Sequence, residues 1–115
     1  TKASAQMMRC LGTNYWDQDE AISQIPPTIE VFSKNGCVNA SRSEAMIVNA
    51  PNNPYVFCIF TKNNKDVKWT HDNEAWTMAR RISALTGSIL NQDMGGLNEG
   101  LANVGVSNKE LGIGN

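Results

Sequence analysis

Lys34, Asn35 and Gly36, then Cys37 and, in the next apolar stretch, Arg42, have the types and spacing to act on an anionic acyl compound. The lysine supplies a compact cation. The glycine permits unusual backbone angles and lets a ligand come close to the main chain. If the stretch lies at a strand end, the Cys37 N–H would point along an exposed edge and could face a developing oxyanion. Arg42, one strand over, would grip a carboxylate through its planar fork, with the Asn35 amide orienting the same group. The same residues also have a plainer reading: a Lys-Asn-Gly turn with Lys34 in solvent.

The elements that must position these residues can be read from periodicity. Residues 2–11 suit a helix, with Thr1 as N-cap, Gly12 as its end, and Ala3, Met7, Cys10 and Leu11 on one side. A short helix is expected over 17–24, stopped by Pro26-Pro27. Strands are expected at 28–33, 44–49 and 55–61, with a long connection over 34–43 and a turn over 50–54. The third, YVFCIFT, is apolar from Tyr55 to Phe60, which predicts a central strand covered on both faces, with Cys58 buried. A final helix is expected over 73–90, capped by Thr70 or Asp72. Its stripe would be Ala75, Met78, Ala79, Ile82, Leu85 and Ile89, with Trp76 packed on the sheet and Arg80 and Arg81 facing away.

Residues 91–115 differ in composition, holding six of the nine glycines and no aromatic residue, and read as a tail. The fold class expected is α+β: an antiparallel sheet flanked by N-terminal and C-terminal helices over residues 1–90. A three-stranded meander would leave YVFCIFT at an edge, so the pattern asks for a further strand supplied from elsewhere.

Several classes of function are disfavoured. The net charge of −1, from 10 basic and 11 acidic residues, gives no footprint for nucleic acid or an anionic membrane. No apolar run approaches the ~20 residues that span a bilayer, and no targeting signal is recognisable in these residues. Cys10, Cys37 and Cys58 have no paired spacing and His71 stands alone, so neither a disulfide framework nor a metal or other cofactor is expected.

Element order and motif together resemble the C-terminal half of the penicillin-recognising serine hydrolases, in particular the class A β-lactamases. That family carries S-x-x-K, S-D-N and K-[TS]-G elements. Lys34-Asn35-Gly36, followed by Ser41-Arg42-Ser43-Glu44, is similar to the third element and its neighbouring arginine. TKASAQMMRCL resembles the helix after the family's Ω-shaped loop, and WTHDNEAWTMARRISAL its closing helix. The resemblance implies a five-stranded sheet in which YVFCIFT is central. It also implies a periplasmic or secreted setting. Lys34 and the Cys37 N–H would then be catalytic, and Asn35, Gly36 and Arg42 would bind substrate.

Departures from the pattern are equally plain. These 115 residues contain neither S-x-x-K nor S-D-N, and Asn35 stands where threonine or serine is usual. Two functions follow as expectations. In one, the chain is the C-terminal portion of a β-lactamase-like serine hydrolase. The N-terminal half of the fold, on another segment or chain, supplies the serine, and the substrate is a small acyl compound such as a β-lactam or peptide. In the other, the half-fold is a non-catalytic binding or structural module that assembles with a partner.

Overall fold

Two extended runs, each longer than the sequence pattern suggests, meet at Asn39-Ala40. In the computed structural model, which describes residues 1–13 and 18–91, β1 spans Val31–Val38 and β2 spans Ser41–Val48. The expectations placed on 14–17 and 92–115, the glycine-rich tail among them, lie outside the described residues. The long connection expected over 34–43 is corrected to a two-residue turn. Lys-Asn-Gly is therefore the interior of a strand, with Lys34 opposite Ala45 and Gly36 opposite Ser43. Space is tight there: a Cβ at Gly36 would stand 2.7 Å from Ser43 Oγ, so that hydroxyl would have to turn away.

The order of elements is α1 (Lys2–Leu11), a 3-10 turn (Ala21–Gln24), β1, β2, β3 (Tyr55–Thr61) and α2 (Glu74–Leu90). The sheet is antiparallel in the order β1-β2-β3, and the architecture is α+β as expected. Among the described strands β2 is the middle one and β3 an edge. The helix expected over 17–24 shrinks to the single 3-10 turn.

Strand alternation sorts the side chains cleanly. Arg42, Glu44, Met46 and Val48 of β2 point to the α2 side with Phe57 of β3, and are buried. They form one core with Ala21, Ile25, Ala50, Trp76 and Ala79. Each large apolar side chain buried there contributes about 1.5–3 kcal/mol. Ile47, Val56, Cys58 and Phe60 point the other way and are exposed. The two-sided cover predicted for β3 is thus corrected to cover on one face, and Cys58 is not buried.

α2 also departs from its predicted stripe. Ala75, Trp76, Ala79, Arg80, Ser83, Ala84, Gly87 and Ser88 are its buried residues, while Met78, Ile82 and Ile89 are exposed. Small side chains let the helix sit close to the sheet and the 3-10 turn. Arg80 does not face away: it donates to Asp19 O at 2.7 Å and His71 O at 2.9 Å. The cap is Asn73 and not Thr70 or Asp72, its Oδ1 accepting from the amides of Ala75 and Trp76. α1 is capped by Thr1 as predicted, touches the sheet through β1, and buries none of its residues.

Candidate active site

Because side chains alternate, the consecutive residues of the motif separate to opposite faces of β1. Lys34 lies on the face away from α2, exposed, with its Nζ donating to its neighbour's carbonyl, Asn35 O, at 2.7 Å. It stands over a shallow apolar recess lined by Leu11, Phe32, Ala45, Ile47 and Val56. β1 is an edge among the described strands, and alternate amides of an edge strand point outward, free for a ligand.

Asn35 and Cys37 face the α2 side. The Asn35 amide donates to Glu20 Oε1 at 2.6 Å. The structure therefore does not bring the Lys34 and Asn35 side chains together. Burial pushes the Cys37 thiol above its ordinary pKa, and the nearby Arg42 charge only partly offsets this. The side chain is not an activated thiolate.

Arg42 pairs with Cys37 across the two strands, yet its guanidinium is not the open fork expected from sequence. It is 1% exposed. Nη1 donates to the carbonyls of Val38, Asn39 (3.2 Å) and Ser41 (3.0 Å), and Nη2 to Lys68 O at 2.8 Å. Trp69 covers it, the ring centroid 5.1 Å from Cζ. The arginine binds the β1–β2 turn to the loop that leads into α2, and thereby fixes the end of the strand that carries Lys34 and Cys37.

Two carboxylates escaped the sequence reading. Glu44, 1% exposed, accepts from Ala21 N at 2.6 Å and Ile22 N at 3.2 Å, capping the 3-10 turn from the sheet. The signal was available: in SRSEAMIV, Arg42 and Glu44 alternate in phase with Met46 and Val48, so both had to be buried and partnered. Glu20, 7% exposed, has one oxygen on Asn35 and a buried second oxygen, Oε2, with no partner; burial raises its pKa. No cluster of three or more His, Cys, Asp or Glu suited to a metal ion occurs among the described residues.

The antiparallel three-stranded sheet flanked by α1 and α2 is consistent with a partial β-lactamase-like fold. A model described as the β-lactamase enzyme family matches residues 1–92, and the chain belongs to that family. No curated protein and no solved structure matches it.

Proposed function

We propose that the chain is the C-terminal portion of a β-lactamase-like serine hydrolase of the class A kind, acting on a small acyl substrate such as a β-lactam or a peptide. The observation that carries this reading is the placement of Lys34. It projects from an edge strand on the sheet face away from α2, where α1 packs chiefly on β1 and Ile47, Val56 and Phe60 stay exposed, while the opposite face is closed by α2. An N-terminal half carrying the serine would cover Ile47, Val56 and Phe60, and in doing so would lay its nucleophile beside Lys34.

In that assembly the serine Oγ attacks the acyl carbonyl, and its proton passes to a base of the same half. The Cys37 N–H stabilises the oxyanion of the tetrahedral intermediate. Collapse expels the leaving amine and leaves an acyl-serine, which water then hydrolyses. Lys34 holds the site positive and contacts the substrate carboxylate. Gly36 lets the substrate lie against β1. Arg42 and Asn35, engaged as they are, act as positioning residues that hold the end of β1. A periplasmic or secreted setting is part of this proposal and is supported only by the resemblance; no helix of the described residues is long and apolar enough to cross a membrane.

One observation favours the second reading, a non-catalytic module: the Asn35 amide is tied to Glu20 and does not stand beside Lys34. Native mass spectrometry with and without a penicillin separates the two. The enzyme reading expects a complex of this chain with a second polypeptide that gains one covalent penicillin. Lys34→Ala should then slow acylation by about 10²-fold, the scale of one lost electrostatic stabiliser. A lone chain with no adduct would favour the module, whereas acylation indifferent to Lys34 would remove that residue from the site.

A further inference from the structure

On the α2 side of β1 lies a cavity of about 320 Å³ that the acyl-transfer chemistry does not use. It is lined by Trp69 and Trp76, by Asn35 and Cys37 of β1, and by Asp19 and Glu20. From this juxtaposition we propose that the cavity binds a primary ammonium group carried by a small organic ligand.

Three features point to that chemistry. Glu20 Oε2 is a buried acceptor without a donor. An unmet buried carboxylate oxygen is destabilising, and a ligand N–H would satisfy it. The guanidinium groups nearby leave it unmet. Arg80 turns to Asp19 O, His71 O and Thr77 Oγ1, and Arg42 to the carbonyls of the β1–β2 turn and Lys68. Asp19 adds a second negative charge, its Oδ1 2.8 Å from His71 Nδ1 at the outer edge. Two indoles in the lining, one of which already lies over Arg42, make an aromatic surround that suits a cation. The two carboxylates in the lining disfavour an anion, against the attraction of Arg80, whose charge couples to both. The two faces of β1 thereby serve opposite charges, Lys34 an anion and Glu20 a cation.

The test uses the 115-residue chain, needs no serine, and therefore stands or falls separately from the acyl-transfer reading. n-Butylammonium, tetramethylammonium and n-butanol are titrated while the Trp76 indole N–H and the Asn35 side-chain amide are followed by two-dimensional NMR. Saturable shifts with n-butylammonium are expected, with Kd on the order of millimolar. n-Butanol should bind at least about tenfold more weakly, lacking the charge-assisted hydrogen bond. Glu20→Gln should weaken n-butylammonium by a similar factor while keeping a dispersed spectrum. Trp69→Leu, at an exposed position, should weaken it less. No saturable shift, equal binding of n-butanol, or full affinity in both variants would overturn the proposal. Tetramethylammonium binding as tightly as n-butylammonium would overturn the role of the N–H donor.

Discussion

On the α2 side of the sheet, Arg42, Glu44 and Met46 are 1% exposed and Val48 not at all; on the other side Ile47, Val56 and Phe60 are 43%, 68% and 75% exposed. The closed face holds two charged residues, every one of whose named hydrogen bonds runs to backbone. The open face is apolar and carries one charge of interest, Lys34. This inverts the usual arrangement, in which charge is wet and hydrocarbon dry. The inversion is intelligible if the closed face is a rigid support and the open face a surface awaiting its counterpart. Charge is buried where it can tie the turn, the 3-10 segment and the loop before α2 together.

The largest expected effect comes from breaking the closed face. Arg42→Ala leaves the carbonyls of Val38, Asn39, Ser41 and Lys68 without their shared donor, and should destabilise by about 3 kcal/mol or more in urea titration. A loss under about 1 kcal/mol would mean that water replaces the guanidinium and that the face is not rigid. Glu44→Gln comes next. It keeps one acceptor but sets an NH₂ against an amide that the carboxylate now satisfies, at a cost of about 2 kcal/mol. Asn73→Ala removes the cap of α2 together with the donor to Asp66 O and Lys68 O, at a cost of about 1–2 kcal/mol. If Asn73→Ala exceeded Arg42→Ala, the helix entry and not the β1–β2 turn would be the keystone.

The open face predicts the reverse. Phe60→Ser, at a side chain 75% exposed, should change the stability of the isolated chain by no more than about 0.5 kcal/mol. It should, however, reduce binding of a hydrophobic dye and weaken any complex with the serine-bearing half. A loss above about 2 kcal/mol would show Phe60 already buried in the isolated chain, through self-association or otherwise, and the contrast between faces would fail.

How far the sequence reveals this arrangement depends on which face is asked. Element order, the three strands and α2 follow from periodicity, because apolar spacing reports the period of the backbone whatever covers it. What periodicity cannot report is cover. YVFCIFT reads as a strand buried on both sides, which would be its environment once a counterpart is present; the structure shows Val56, Cys58 and Phe60 without one. The stripe of α2 misleads for the same reason. Its largest apolar residues, Met78, Ile82 and Ile89, are exposed, while Ser83 and Ser88 are buried. Local chemistry misleads in another way. Lysine, asparagine and glycine favour turns, yet cross-strand pairing with Glu44, Ser43 and Ala45 keeps them in a strand. The motif put Lys34 at a strand end, whereas it lies within β1. The role of Arg42 could not be read, since its partners are carbonyls, which any residue supplies.

The smallest effects are those of pH, and they divide by burial. Asp72 accepts from Lys68 Nζ at 2.6 Å and from Thr70, which hold its carboxyl down to about 2 from an ordinary 3.8. A lowered folded-state value means stability that is present above pH 3.8 and is lost as pH falls towards 2. The pair is exposed, so the effect should be slight, absent in Asp72→Asn, and reduced in 1 M salt. Glu20 carries the opposite sign. Burial raises its value above 4.5, so the folded chain holds that proton more tightly than the unfolded one. Its contribution is present below pH 4.5 and is lost as pH rises through the folded value. Glu20→Gln should therefore flatten the decline above pH 4.5 and leave the acid limb to Asp72. Urea midpoints at pH 2.5, 4.5 and 7 for the wild type and both variants would show it. If Glu20→Gln instead destabilised the chain at pH 7, Oε2 would have a donor in solution, and an unmet oxygen would not be the feature that distinguishes the closed face.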